Sequence, residues 1–309
     1  MGAVKGDRLR IGTRGSALAL VQATLVATAL SRAGRAVELV VVETDGDRRE
    51  PDTAWGEGAF VAALERALLD DRVDVAVHSA KDVPTAVDPR LVIGAFLPRA
   101  DPRDALVVPD RAPARRLDDL PAGARVGTDS PRRAGFVLAR RPDLVVHPLH
   151  GNVDTRLRRL DSGETDALVL ACAGLDRLGR AECIADRLDP ELIPPAAGQG
   201  AIAVQVRAGD SAVLRRVAAT DDRRTRVAVE AERVFLAASG GGCRAPIGAL
   251  ARIEGAEIEL LGGRVEADGT GARFGRSQGP FGEAGRLARA LAEELSAAAD
   301  PAAAGGVAT

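Results

Sequence analysis

The 309-residue chain is almost without lysine, Lys5 and Lys81 apart, although lysine and arginine together number 42. Its formal net charge is -2, so it lacks the basic surplus of a nucleic-acid or anionic-membrane surface. No apolar run approaches membrane-span length, and the N-terminus has no signal-like apolar core. Cysteine is scarce: three residues, an odd number without pair spacing, argue against a disulfide framework. No His/Cys/Asp cluster has zinc spacing, and neither a G-x-x-x-x-G-K-[ST] loop nor a G-x-G-x-x-G turn occurs, so neither a metal nor a nucleotide is indicated. There is no repeat of fixed period. These absences predict a reduced cytoplasmic protein.

What remains is the composition of a globular chain, 46% hydrophobic and 28% charged, long enough for two or three domains. Arginine supplies nearly all the positive charge. Its fork recognises carboxylates and phosphates in bidentate fashion. A general Ala/Gly/Arg bias accounts for most surface arginines, so their positions decide their meaning.

Strand and helix patterns alternate along the first half. LRIGT (9–13) reads as a buried strand, 16–33 as a helix, VELVVVET (37–44) as a strand, 59–69 as a helix and VDVAVH (73–78) as a strand. Apolar runs separated by helices predict a parallel sheet covered on both faces. LPRADPRDA (97–105), with two prolines and several charges, reads as a hinge. Alternation restarts with the strand ARVGT (124–128), a helix over 131–141, the strand LVVHPL (144–149), a helix over 153–160 and the strand ALVLACAG (167–174). Cys172 falls in that last run and Cys183 in a predicted helix, both as core residues. A second break, IPPAAGQG (193–200), precedes AIAVQV (201–206), a strand that can return to the first unit. Two crossings between two α/β domains put a cleft at the hinge, the usual place for a ligand. A long helix (222–238), strands at 247–252 and 258–265, and a helix over 282–298 make a smaller α+β domain. The tail, PAAAGGVAT, is low in complexity and expected to fray.

Several short segments carry chemistry. Cys243 sits in SGGGCRAPIG, where three glycines leave the sulfur unshielded; taken alone it is equally readable as a small buried hydrophobe. GTDSPRR (127–133) ends a strand and opens a helix, with Thr128 and Ser130 as hydroxyls, Pro131 in the first turn, and Arg132 and Arg133 beside free amides. That is an anion site or an ordinary N-cap with a solvated basic pair, and Asp129 would compete with any bound acid. HSAKDVP (78–84) places Lys81 and Asp82 at a strand's C-terminal end, to hold an anion and to move a proton or stabilise a cation; a salt-bridged turn closed by Pro84 is the plainer reading. His78 is expected to make a structural hydrogen bond. RIGTRGS (10–16) brings Arg14 and Ser16 to a helix mouth, and HGNVDTR (150–156) brings Arg156 to another. Arginines at three such junctions, and Lys81 at a fourth, point to a cleft for a polycarboxylate.

In order and spacing, RIGTRGSALAL, HSAKDVP, DPRDA, GTDSPRR, GNVDTRL, AGLDRLG, GQGA and GGGCRAPIG resemble the porphobilinogen deaminase (hydroxymethylbilane synthase) family over essentially the whole chain. The resemblance implies two periplasmic-binding-protein-like (type II) α/β domains with a hinge, residues 1–99 with 199–218 and residues 104–193, and a small α+β domain over 221–309. It implies a dipyrromethane cofactor joined to Cys243 by a thioether. Porphobilinogen units would be added stepwise with loss of ammonia, and hydrolysis would free hydroxymethylbilane. Asp82 is implied as the catalytic carboxylate. Lys81, Asp82, Thr128, Ser130, Arg132, Arg133, Gln199 and Gly200 are implied as cofactor contacts, and Arg14, Ser16, Arg156, Arg177 and His150, the last in an arginine's place, as substrate contacts. A monomer is expected.

Three residues depart from the family pattern. His150 stands where arginine usually precedes GNV, Asp129 where a small or hydroxyl residue is usual, and Glu57 where lysine is frequent. A lost charged contact costs on the order of 1.5–3 kcal/mol, so a paralogue with impaired turnover is one alternative. A small-acid binding protein on the same fold is another, which leaves Cys243 and the third domain unexplained.

Overall fold

In a computed structural model, the described residues are 8–34, 36–43, 59–242 and 245–297; Glu57 and Cys243 lie outside them. The first unit holds β1 (Arg8–Thr13), α1 (Ala17–Arg32), β2 (Ala36–Val41), α2 (Ala59–Leu69), β3 (Val75–Ser79) and β4 (Leu91–Phe96). The chain then crosses to β5 (Asp104–Val107), β6 (Arg125–Gly127), α3 (Pro131–Arg140), β7 (Val145–His147), α4 (Val153–Asp161), β8 (Ala167–Ala171), α5 (Cys172–Arg177) and β9 (Ile184–Arg187). It crosses back to β10 (Ile202–Arg207) and α6 (Ser211–Ala218). A third unit comprises α7 (Arg223–Ala238), β11 (Ile247–Glu254), β12 (Glu257–Arg264), β13 (Arg273–Pro280) and α8 (Ala284–Ala297).

Among the described residues there are three sheets, ordered β2-β1-β3-β10-β4, β7-β6-β8-β5-β9 and β11-β12-β13. The first two share one plan. Three parallel strands end beside one antiparallel strand contributed from just after a crossing, β10 in one and β5 in the other. This mixed order with a double crossover is the type II periplasmic-binding-protein architecture, followed by a small α+β unit. The helices start where side chains satisfy their first amides: Ser16 accepts from Ala19 N, Ser130 from Arg133 N, Asn152 from Thr155 N and Asp222 from Thr225 N.

Several expectations need correction. The strand predicted to reach Gly174 stops at Ala171, because its ladder partner β5 begins at Asp104; Cys172 opens α5 instead. Cys183 lies in a short 3-10 turn, half-buried, rather than in an α-helix within the core. The hinge reading of 97–105 runs too far, since Asp104 and Ala105 belong to β5 and are fully buried. The sequence reading also missed β4, β5, β9, α6 and β13. β13 (RFGRSQGP) has glycines, serine and proline in place of β-branched residues, yet pairs along its whole length with β12.

Packing ties the third unit to the other two. Phe136 of α3 is fully buried and meets Phe274 of β13 at 5.4 Å between ring centroids. Gly248 lies so near the second crossing that a Cβ there would stand 2.2 Å from the Pro194 carbonyl oxygen.

Candidate active site

The C-terminal ends of the parallel strands bring chemistry-bearing residues together. β1 ends at Thr13, and the turn to α1 carries Arg14 and Ser16; β3 ends at Ser79, and a 3-10 turn carries Lys81 and Asp82. Arg14, Ser16, His78, Ser79 and Asp82 line one hollow of about 100 Å³. Two larger hollows, of about 620 and 630 Å³, lie elsewhere. One is bordered by Asp110, Asp154 and Asp161 among mixed charges, the other by Arg103, Arg187 and Arg252, and neither is lined by Arg14, Lys81, Asp82, Arg132, Arg133 or Arg156. Chemistry, not size, selects the small one.

Asp82 is open to solvent in area, yet desolvation by surrounding protein pushes its carboxyl up, with Lys81, Arg14 and Arg133 opposing. Lys81 Nζ of the first unit and Arg133 Nη2 of the second both reach Gln199 Oε1, at 3.1 and 3.4 Å, so the two α/β units face each other here. Lys81 Nζ donates to Gln199 Oε1 at 3.1 Å, and Gln199 Nε2 donates to Asp104 Oδ1 at 2.9 Å. Burial, and then Arg133, push the Lys81 ammonium down to about 8. Gln199 therefore bridges from the second crossing to both units.

Arg132 and Arg133 are neither solvated nor an open anion site. Both are buried on Asp104: Arg132 Nη1 lies 2.8 Å from Oδ2, and Arg133 Nη2 donates to Oδ1 at 2.8 Å. Further donations run from Arg132 to the Pro194 carbonyl and from Arg133 to the Val169 carbonyl. Burial works against ionisation of Asp104, but Arg132 and Arg133 together hold its carboxyl well below the usual range. Burial lowers Arg132. Ser130 spends its hydroxyl as the N-cap of α3, and Thr128 Oγ1 accepts from Ser130 N at 3.2 Å. The ordinary-cap reading of GTDSPRR holds for its hydroxyls, while its arginines belong to an internal cluster.

His150 and Arg156 flank the same region. Both contact Asp129: His150 through Nδ1, and Arg156 through Nη2 at 3.6 Å. Arg177 Nη2 donates to the Gly200 carbonyl at 2.7 Å. Gly200 has φ +86°, and a Cβ there would stand 2.5 Å from the Ala100 carbonyl oxygen, so this close pass of the two crossings needs glycine. His78 makes the expected structural bond, with Nε2 3.0 Å from Gln205 Oε1, and burial pushes it down to about 4.

Asp104 is the site residue that sequence reasoning missed. Its signal was present: a carboxylate immediately preceding the apolar run Ala105–Val108 has to be buried with that run, and a buried carboxylate needs a cation. Arg99 and Glu232, which join the crossings to the third unit, left no local signal.

Comparison with known proteins gives concordant results. Residues 9–215 match the family model described as porphobilinogen deaminase, dipyromethane cofactor binding domain, and residues 227–297 match porphobilinogen deaminase, C-terminal domain. A porphobilinogen deaminase of Roseiflexus castenholzii is 50% identical over 297 residues, covering 94% of this chain and 96% of the relative. One from Mycobacterium leprae is 48% identical over 297 residues, covering 93% of each. Among solved structures, the methionine binding protein MetQ aligns at 13% identity and a TM-score of 0.44, covering 71% of this chain and 92% of that one.

Proposed function

The chain belongs to the porphobilinogen deaminase family, and from that premise we propose that it condenses four porphobilinogen molecules head to tail on a dipyrromethane primer and releases hydroxymethylbilane. It is a transferase of porphyrin and haem biosynthesis. Each condensation would break the substrate's C–N bond with loss of ammonia and form one C–C bond with release of one proton, so that atoms and charge balance. The reading takes residues 1–99 with 199–218, 104–193 and 221–309 as its three domains, Cys243 as the thioether anchor, a monomer as the working unit and the cytoplasm as its compartment. No helix among the described residues is long and apolar enough to cross a membrane.

The donor set fits a group bearing several carboxylates. Arg132 and Arg133 are already paired with Asp104, but with Lys81 and Arg14 the cations there outnumber Asp104 and Asp82, and Arg156 Nε is buried without a hydrogen-bond partner. Lys81, Asp82, Thr128, Ser130, Arg132, Arg133, Gln199 and Gly200 would hold the cofactor, and Arg14, Ser16, Arg156, Arg177 and His150 the incoming substrate. The cofactor, when bound, supplies the nucleophilic pyrrole carbon on which the chain grows.

The observation that carries the mechanism is the placement of Asp82. Loss of ammonia leaves positive charge on the substrate, and a carboxylate walled by protein on all but its open side acts on that charge more strongly than one in bulk solvent. Lys81, Arg14 and Arg133 oppose the desolvation and favour the ionised form. Asp82 thus accepts from pyrrole N–H groups and stabilises the developing cation.

The deciding experiment is the intact mass of purified protein beside a Cys243→Ala variant. The expected result is extra mass equal to a dipyrromethane, absent in the variant, and further pyrrole increments on adding porphobilinogen. A wild type that stays unmodified after supply of porphobilinogen or hydroxymethylbilane would end this reading.

A further inference from the structure

The two departures from the family pattern that fall within the described residues stand in contact with each other. β6 and β7 run parallel with Gly127 opposite His147, so the turns leaving them carry Asp129 and His150 side by side. The Asp129 carboxylate meets His150 Nδ1, and the same oxygen lies 3.6 Å from Arg156 Nη2. All three side chains are mostly buried, with 21%, 22% and 19% of Asp129, His150 and Arg156 exposed. Arg156 Nε is buried with no hydrogen bond, and burial, followed by Arg133, pushes the guanidinium down to about 10. A cation so placed gains from any anion brought within reach.

A carboxylate that accepts from one imidazole nitrogen fixes the ring's plane and tautomer and leaves the other nitrogen for a ligand. With the ring protonated, Nε2–H is a donor for a second carboxylate, and Asp129, His150 and Arg156 together carry one net positive charge. Without Asp129 the imidazole would be unoriented. Without His150, Asp129 would face Arg156 alone and neutralise it.

We propose that Asp129 is a positioning residue for His150, and that the pair stands in for a single guanidinium, holding one carboxylate of the incoming pyrrole together with Arg156. The proposal rests on the porphobilinogen deaminase reading. It makes the two departures one compensated unit rather than two defects, so their effects on substrate binding are coupled.

A double-mutant cycle tests this on the primer-bearing enzyme, with KM and kcat for porphobilinogen measured for wild type, Asp129→Ser, His150→Arg and the double variant. Asp129→Ser is expected to raise KM about tenfold with kcat little changed, the size of a lost charge-assisted contact. His150→Arg alone should change KM less than about threefold, because the new guanidinium is drawn onto Asp129. In the Asp129→Ser background the same substitution should lower KM by roughly tenfold. Asp129→Asn, which keeps an acceptor for Nδ1–H, should stay within about threefold of wild type.

A second readout is independent of turnover. The chain has only three histidines, and in the other two Nε2 faces Gln205 (His78) or Glu164 (His147). In resting, histidine-labelled holoenzyme, NMR should show a sheltered Nδ1–H proton from His150 that survives Asp129→Asn and disappears in Asp129→Ser. The proposal is overturned if His150→Arg lowers KM tenfold in both backgrounds, if Asp129→Ser lowers KM, or if the Nδ1–H signal ignores Asp129. An inactive wild type overturns the family reading and the substrate role with it, whereas loss of coupling in an active enzyme overturns the pair alone.

Discussion

Arg99 and Glu232 form a two-pronged ion pair, Nη1 to Oε1 at 2.5 Å and Nη2 to Oε2 at 2.9 Å, with Glu232 wholly buried. The carboxylate also accepts from Gly198 N at 2.7 Å and from Ala251 N at 2.8 Å. One glutamate of α7 thereby joins the first crossing, the second crossing and β11. Every acceptor position of Glu232 that faces protein is used, which is the condition under which a buried charge is tolerated.

Glu232→Ala should therefore lower unfolding free energy by about 3–5 kcal/mol, since a guanidinium and two amides lose their partner at once. A denaturant melt read by far-UV circular dichroism checks this. A loss below about 1 kcal/mol, the size of a surface pair, would contradict it.

Asp82→Asn keeps the shape and the hydrogen-bonding oxygen while removing the charge. If Asp82 stabilises a developing cation, kcat should fall by about 10²–10³-fold with KM within about threefold. Steady-state kinetics on protein whose intact mass shows the primer in place separates this from failure to load. A variant that lost substrate affinity instead would assign Asp82 to binding.

Lys81 links activity to alkaline pH. Its ammonium titrates at about 8, so its hold on a carboxylate weakens as pH rises through that value. Because Lys81 is assigned to the cofactor rather than to the incoming substrate, kcat of the wild type should fall above pH 8 with KM little changed, and Lys81→Arg, which stays charged, should be flat over the same range. The stability contribution has the opposite sign. An unfolded lysine keeps its proton to about 10.5, so between about 8 and 10.5 the unfolded chain binds more protons and this group's contribution to stability rises with pH.

His78 sets an acid limit. Burial holds it near 4 against 6.5 for the free side chain, with the Gln205 bond opposing. Its neutral form is fully compatible with the fold above 6.5. Between 6.5 and 4 only the unfolded chain takes up the proton, and stability falls by about 3 kcal/mol at most before levelling. Urea melts at pH 7 and pH 4.5 should show a smaller loss for His78→Gln than for the wild type.

What could be read from the chain alone was whatever is local. The apolar periodicities of LRIGT and VDVAVH, the N-cap in GTDSPRR, and the order of RIGTRGS, HSAKDVP and GTDSPRR carried the alternation of strands and helices and the family resemblance. These depend on neighbours a few residues away, where side-chain spacing and backbone geometry act directly. What only the tertiary structure decided are the long-range meetings. Asp104 pairs with Arg132 and Arg133 across 28 and 29 positions, Glu232 reaches Arg99 across 133, and β10 inserts antiparallel between β3 and β4. Asp129 and His150 read in isolation were two faults, and strand register made them a pair. Such contacts follow from which strand lies beside which and where the crossings pass. A carboxylate in a proline-rich segment looks like hinge surface until the sheet that buries it, and the cation that makes burial possible, are both in place.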